Sequence, residues 1–304
     1  MQNEGEAHRT MIDTERPADA PKPPALIPLM GGPVRAFAPV DCRWPFPPSH
    51  LSLGTDEVHV WCAALDGMVR KLIPLAETLS ASERTRAERF QFDRDRDRFI
   101  ARRGLLRAVL GQYLRVDPAQ IEFSYEDRGK PSPAGNVGSE PIHFSLSHSD
   151  GVALFAFTRS RPLGIDVERV RPIAEMGQVT AKFFSARENA MLNTLPAEQR
   201  IEAFFNCWTR KEAYLKATGE GIAYALPQIE VTLAPGQPAQ LLSVNGDSHA
   251  ARFWFLHSLA PALGFVGALA CLESTTTRPQ MVPDRLTYLW KLDGVTSNVH
   301  SPCA

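Results

Sequence analysis

Two acidic residues placed two apart in a β-branched run constrain this chain more than any other feature. The pattern Gly164-Ile165-Asp166-Val167-Glu168 predicts a strand with Ile165 and Val167 on one face and Asp166 and Glu168 on the other. Like charges sharing a strand face repel, so something positive should lie over them. Further on, Ile201, Phe204, Phe205, Trp208 and Leu215 form a helical apolar stripe, and Glu212 falls on it. An acid turned toward a core is costly unless it is paired or bound to a metal. Three such carboxylates suggest one hard divalent ion held by oxygen: Asp166, Glu168 and Glu212 are the candidate metal ligands.

The chain has 304 residues, enough for one large domain or two small ones, and 44% are hydrophobic, enough for a packed core. A formal net charge of −1 provides no global field for nucleic acid or an anionic membrane, so neither is expected as a partner. Cys42, Cys62, Cys207, Cys271 and Cys303 form no CxxC pair. Scattered cysteines of this kind suit a reducing cytosol better than a zinc site or a disulfide framework. No apolar secretory stretch follows Glu4 and Glu6, and the apolar run from Ala262 to Leu272 is too short to span a bilayer. A cytoplasmic location is expected.

Residues 1–50 hold ten of the 25 prolines and read as an extended or disordered leader. Folded structure is expected from Asp56, with a first strand at Val58–Cys62. Ser80-Ala81-Ser82-Glu83 has capping-box spacing. A longer helix from Asp93 to Tyr113 would turn Phe99, Leu106, Val109 and Leu110 inward. Nine arginines lie between Arg84 and Arg107. Some belong to a solvated face of Asp–Arg pairs; two or three could grip phosphate with their bidentate forks. Arg128-Gly129-Lys130-Pro131 reads as a turn that presents two cations. His148, beside Ser147, is expected on the connection before the buried strand Val152–Phe157. Arg159 to Pro162 should close a hairpin into the acidic strand. The helix over 201–217 should end at Gly219. Strands are expected near Gln228–Leu233, Ala251–Leu256 and Phe265–Leu272.

Ser185 and Glu188 repeat the capping spacing 105 residues after Ser80 and Glu83, and the same shift sets Trp61 against Asp166. The predicted fold is α+β, made of two similar halves related by a pseudo-twofold, 56–160 and 161–275. A ligand cleft would lie between them, and residues 276–304 would form an extension.

Arg128-Gly129-Lys130-Pro131, Phe144-Ser145-Leu146-Ser147-His148-Ser149, Gly164-Ile165-Asp166-Val167-Glu168 and Trp208-Thr209-Arg210-Lys211-Glu212-Ala213-Tyr214-Leu215-Lys216, in that order, resemble the 4′-phosphopantetheinyl transferases, and the resemblance covers roughly residues 56–275. The length is similar to the monomeric, two-half type that activates synthetase carrier domains. The resemblance implies a Mg²⁺-dependent enzyme that moves the 4′-phosphopantetheine arm of coenzyme A onto a serine of an apo acyl or peptidyl carrier protein, releasing 3′,5′-ADP. It implies Asp166, Glu168 and Glu212 around Mg²⁺, Glu212 and Lys216 as catalytic groups, and a monomer. It implies that Arg84, Arg86, Arg98, Arg128, Gly129, Lys130, Pro131, Ser147, His148, Asp166, Lys211 and Lys216 bind coenzyme A. Glu83 departs from the family, which often carries lysine there, and the leader has no counterpart in the family pattern. A Mg²⁺-dependent pyrophosphate hydrolase and a non-catalytic coenzyme A-binding module are the alternatives.

Overall fold

The computed structural model describes Trp44, Phe46 and residues 51–125, 131–133, 141–219, 226–273 and 287–291. The rest of the 1–50 leader, and Arg128, Gly129 and Lys130, lie outside the described residues. The chain runs β1 (Val58–Ala64), α1 (Val69–Glu77), α2 (Ala81–Ala87), α3 (Asp93–Leu114), a 3-10 turn (Pro118–Gln120), β2 (Phe123–Tyr125), β3 (Pro131–Pro133), β4 (His143–Ser149) and β5 (Val152–Thr158). It continues β6 (Leu163–Arg169), α4 (Met176–Phe183), α5 (Ala186–Thr194), α6 (Ala197–Thr218), a second 3-10 turn (Leu226–Gln228), β7 (Ile229–Val231) and β8 (Leu241–Val244). Last come α7 (Ser248–Ala251), β9 (Trp254–Leu259), β10 (Phe265–Leu272) and β11 (Thr287–Lys291). The fold is α+β. From β6 onward the element series of the first half recurs, with α7 inserted before β9.

The recurrence extends to strand pairing. One sheet has the order β11-β1-β5-β4 and the other β6-β10-β9. The segments β1-β5-β4 and β6-β10-β9 are both antiparallel throughout. β11, from the expected C-terminal extension, joins β1 in parallel. Both expected capping boxes form. Ser80 N donates to Glu83 Oε2 at 2.8 Å and Glu83 N to Ser80 Oγ at 3.3 Å; in the second half the same two bonds between Ser185 and Glu188 measure 2.8 and 3.2 Å.

Alternation along the strands divides the apolar side chains among separate cores. Trp61, Ala63, Phe155 and Phe157 face α3 with Leu105, Leu106 and Leu110. Ala268 and Ala270 face α6 with Phe204, Trp208 and Leu215. The opposite strand faces meet each other: Val58, Val60, Cys62, Val152 and Leu154 pack with Ile165, Val167, Leu259 and Leu269. The two halves therefore share a sheet-on-sheet core, and Ile165 and Val167 point into it as the alternation requires.

Four expectations are corrected. No hairpin closes at 159–162, because β5 and β6 belong to different sheets. That turn is tied instead to the segment before β1, by Arg159 Nε to Leu53 O and Ser160 Oγ to Thr55 O, both 2.7 Å, and by Arg161 to Asp56 O. The strand expected at Ala251–Leu256 starts at Trp254, because Asp247 caps α7 through the amides of His249 and Ala250. His148 lies within β4, near its end and itself exposed, not on the connection. Cys62 is disulfide-bonded, whereas Cys207 and Cys271 are free and buried. Linear spacing carries no sign of a pair that only folding brings together.

Candidate active site

The acidic strand β6 lies beside β4, and serines link the two. Ser145, Ser147 and Ser149 share one face of β4, two residues apart, in step with Asp166 and Glu168 on β6. Ser145 Oγ accepts from Ile165 N at 3.2 Å. Ser147 Oγ donates to Asp166 Oδ1 at 2.7 Å, and Ser149 Oγ donates to Glu168 Oε2 at 2.8 Å while accepting from Arg169 N at 3.1 Å. Ser145 and Ser149 were not singled out from the sequence. Their alternation, matching that of the acids, is the signal that would have found them.

Helix α6 lies directly on β6. A Cβ added to Gly164 would stand 2.1 Å from Ala213 O and 2.4 Å from Ala217 N, so only glycine permits this approach. The close packing brings Lys216 onto the acidic strand. Its Nζ donates to Asp166 Oδ1 at 2.8 Å and to Ile165 O at 3.2 Å. Glu212 precedes Lys216 by one helical turn, on the same face of α6, and is 3% exposed.

Asp166 is fully buried. Its Oδ1 has two donors, whereas its Oδ2 has no hydrogen-bond partner among the described residues. A buried carboxylate oxygen without a donor is costly and suits a cation ligand. Glu168 is 1% exposed, and Arg171 Nη1 lies 3.6 Å from the Oε2 that Ser149 also holds. Among the described residues no group of three or more His, Cys, Asp or Glu side chains stands as a metal site. Positive charge does lie over the strand, as two acids on one face require: Lys216 on Asp166 and Arg171 beside Glu168 provide part of it.

Lys211 is also corrected. It is 0% exposed. Its Nζ pairs with Glu188 Oε2 at 2.5 Å and donates to Phe183 O at 3.1 Å and Leu226 O at 2.9 Å. All three protons are engaged inside the second half, so this lysine binds α6 to α5 and leaves no donor for a ligand. Glu83 has the equivalent place in the first half. It holds Arg103 Nε through Oε1 and Arg107 Nε through Oε2, both at 2.8 Å. Burial pushes its carboxyl up, but the two guanidiniums more than offset that and bring it below the usual carboxylate range. Two of the nine arginines are thus structural, and Glu83 is their anchor.

The remaining cations lie along α2 and α3. Arg84 is exposed and donates to Glu77 O at 3.1 Å. Arg86 and the buried Arg102 lie over the Phe99 ring, 5.7 and 5.6 Å from its centroid. Arg98 grips Asp66 through two bonds of 2.7 Å. Pro131 opens β3 opposite Tyr125. Arg210, by contrast, is buried and donates to Thr232 O at 2.6 Å, Thr232 Oγ1 at 3.0 Å and Ser258 Oγ at 3.1 Å. Burial without a carboxylate lowers its pKa to about 10.

Residues 162–270 match the 4′-phosphopantetheinyl transferase superfamily, and residues 68–159 match the 4′-phosphopantetheinyl transferase N-terminal family. HetI, a 4′-phosphopantetheinyl transferase of Nostoc sp., is 44% identical over 227 residues, covering 75% of this chain and 92% of HetI. The chain belongs to the 4′-phosphopantetheinyl transferase superfamily. The 4′-phosphopantetheinyl transferase Sfp of Bacillus subtilis is 30% identical over 56% of this chain and 73% of its own length. The transferase is thus an enzyme that moves phosphopantetheine, with coenzyme A as its substrate, to carrier proteins. Among the described residues, no helix of the transferase is long and apolar enough to cross a membrane.

Proposed function

We propose that this chain attaches the 4′-phosphopantetheine arm of coenzyme A to a serine hydroxyl of an apo acyl or peptidyl carrier protein and releases 3′,5′-ADP, in a Mg²⁺-dependent reaction. The observation that carries the reading is the Ser147–Asp166–Lys216 junction, in which one oxygen of a fully buried carboxylate is held by two donors and the other is left open. Asp166, Glu168 and Glu212 would hold Mg²⁺, whose charge would neutralise the pyrophosphate oxygens.

The chain's own residues account for the rest of the chemistry. The carrier serine oxygen forms a bond to the phosphorus of the arm, and the bond from that phosphorus to the bridging oxygen breaks. The electron pair leaves with 3′,5′-ADP, and the serine proton passes to Glu212 as general base. Lys216, held over Asp166, keeps a positive charge beside the developing negative charge. Arg84, Arg86 and Arg98, with Arg128, Gly129, Lys130 and Pro131, hold the phosphates of coenzyme A; Ser147 lines the seam, and the exposed His148 next to it binds coenzyme A from the other face of β4. Lys211 has no part in this reading, because its protons are already engaged.

The halves 56–160 and 161–275, the leader 1–50 and the extension 276–304 complete the reading of a cytoplasmic monomer. The recurring element series and strand order support the division into halves. The test incubates the protein with coenzyme A, Mg²⁺ and several apo-carrier proteins and weighs the carriers. A mass gain of one phosphopantetheine arm supports the proposal. Release of the arm to water alone, or no turnover, would sink it.

A further inference from the structure

Asp66 lies just beyond β1, 32 residues before the arginine that it binds. Its Oδ1 accepts from Arg98 Nε and its Oδ2 from Arg98 Nη2, each at 2.7 Å, a bidentate fork. Arg98 Nη1 keeps its protons, with no hydrogen bond to any described residue. Its side chain is 19% exposed, so the third nitrogen sits at the surface of a guanidinium that is otherwise fixed.

The carboxylate is itself seated. A Cβ on Gly151 would stand 2.4 Å from Asp66 Oδ2, so the carboxylate packs on the glycine and would have to shift for any side chain there. Leu65 N donates to Gly151 O at 2.8 Å and holds the end of β1 on the same turn. The neighbouring residue in that turn, Asp150, accepts from Arg169 Nη1 at 3.1 Å, and the residue before it, Ser149, holds Glu168. One turn therefore links the arginine helix α3 to the end of the acidic strand β6.

We propose that Asp66 is a positioning residue for coenzyme A. It fixes the plane and reach of Arg98 so that Nη1 is presented to a phosphate of the substrate at the end of the β4–β6 seam. A free arginine loses rotamer freedom on gripping a phosphate; one already clamped by Asp66 and Gly151 has lost it in folding. The Arg98 fork also holds the Asp66 carboxyl below the usual carboxylate range, so the clamp stays charged at neutral pH. The inference rests on the transferase reading above and names how one of its cations is held.

The experiment titrates coenzyme A calorimetrically into the wild type, Asp66→Asn, Arg98→Ala, the double variant and Gly151→Ala, with melting temperatures and carrier-loading kinetics for each. Asp66→Asn is expected to raise Kd and KM for coenzyme A by about three- to tenfold, with a smaller change in kcat. In the Arg98→Ala background the same substitution should add nothing, because Asp66 acts only through Arg98. Gly151→Ala should weaken binding like Asp66→Asn, since the new methyl displaces the carboxylate without touching either charge. An unchanged Kd in Asp66→Asn, or additive losses in the double variant, overturns the inference. So does tighter binding in Asp66→Asn, which would make the acid a competitor for Arg98. A Kd that shifts only in proportion to lost melting temperature shows a structural pair and also overturns it. If the wild type loads carriers and only these Asp66 results fail, the transferase reading stands; a wild type that neither binds coenzyme A nor loads a carrier ends both.

Discussion

Ser147 on β4 donates its hydroxyl proton to Asp166 on β6 at 2.7 Å, and both side chains are buried. This bond crosses from the sheet of the first half to the sheet of the second. With Ser145 and Ser149 it makes a polar seam above an apolar sheet-on-sheet core. The acidic strand is thus positioned from one side by serines of the other half and from the other by α6 of its own.

Asp166→Ala removes the partner of Lys216 and the carboxylate oxygen left open. Turnover should fall by about 10³-fold or more. Single-turnover carrier loading with a Mg²⁺ titration checks this. An unchanged rate and an unchanged metal response would remove Asp166 from the site.

Glu212→Gln keeps the size of the side chain and removes its basicity. The rate should fall by about 10²–10⁴-fold, as expected for loss of a general base, with coenzyme A binding retained. Calorimetry paired with carrier loading separates the two effects. Near-normal turnover would move the base elsewhere, with Glu168 the first suspect.

Lys211→Met leaves Glu188 buried without its cation. Breaking a buried pair in this way should lower stability by about 3–5 kcal/mol. Coenzyme A affinity of the folded protein should barely change. Urea unfolding and a binding titration check both parts; lost affinity at full stability would return Lys211 to the ligand site.

Gly164→Ala drives a methyl into the backbone of α6 at Ala213 and Ala217. Overpacking of this kind should cost about 1–3 kcal/mol. Activity should suffer more than stability, because α6 carries both Glu212 and Lys216. A melting curve beside a rate measurement decides it, and wild-type activity in Gly164→Ala would show that the approach of α6 to β6 is not critical.

His59 is buried against Tyr113, with Nδ1 2.7 Å from the phenol oxygen, and burial lowers its pKa from 6.5 to about 4 despite the opposing pull of Glu57. Between these values the unfolded chain takes up a proton that the folded protein refuses. Stability from this group is complete above pH 6.5 and is lost as pH falls toward about 4. At roughly 1.4 kcal/mol per pKa unit the loss is about 3–4 kcal/mol. Denaturant unfolding from pH 4 to 7 should show this slope, and His59→Gln should flatten it. An identical slope in the variant would assign the acid sensitivity to other groups.

Much of the fold follows from local periodicity alone. A period of two placed Ile165 and Val167 opposite Asp166 and Glu168, and the structure puts the first pair in the shared core and the second on the seam. A period near 3.6 placed Glu212 among Phe204, Trp208 and Leu215 on α6. Ser80 and Ser185, each three residues before a glutamate, named the starts of α2 and α5, where both capping boxes form. These signals are readable because strand alternation, helical pitch and capping act over four residues or fewer.

The destination of each charge was not readable. Nine arginines in one stretch look alike in sequence, yet Arg103 and Arg107 turn inward to Glu83 while Arg98 turns to Asp66. Lys211 and Lys216 are five residues apart on one helix, so they leave it in different directions. One is neutralised by Glu188 within the second half and the other reaches Asp166 on the acidic strand. The same limit hid the parallel pairing of β11 with β1 and the passage of the chain from one sheet to the other at 159–162. Sequence periodicity determined which faces are apolar and which residues are acidic on them. Tertiary packing decided which cation meets which acid, because a salt bridge is chosen by separation in space, and helix crossing and sheet docking set that separation after the local rules have been satisfied.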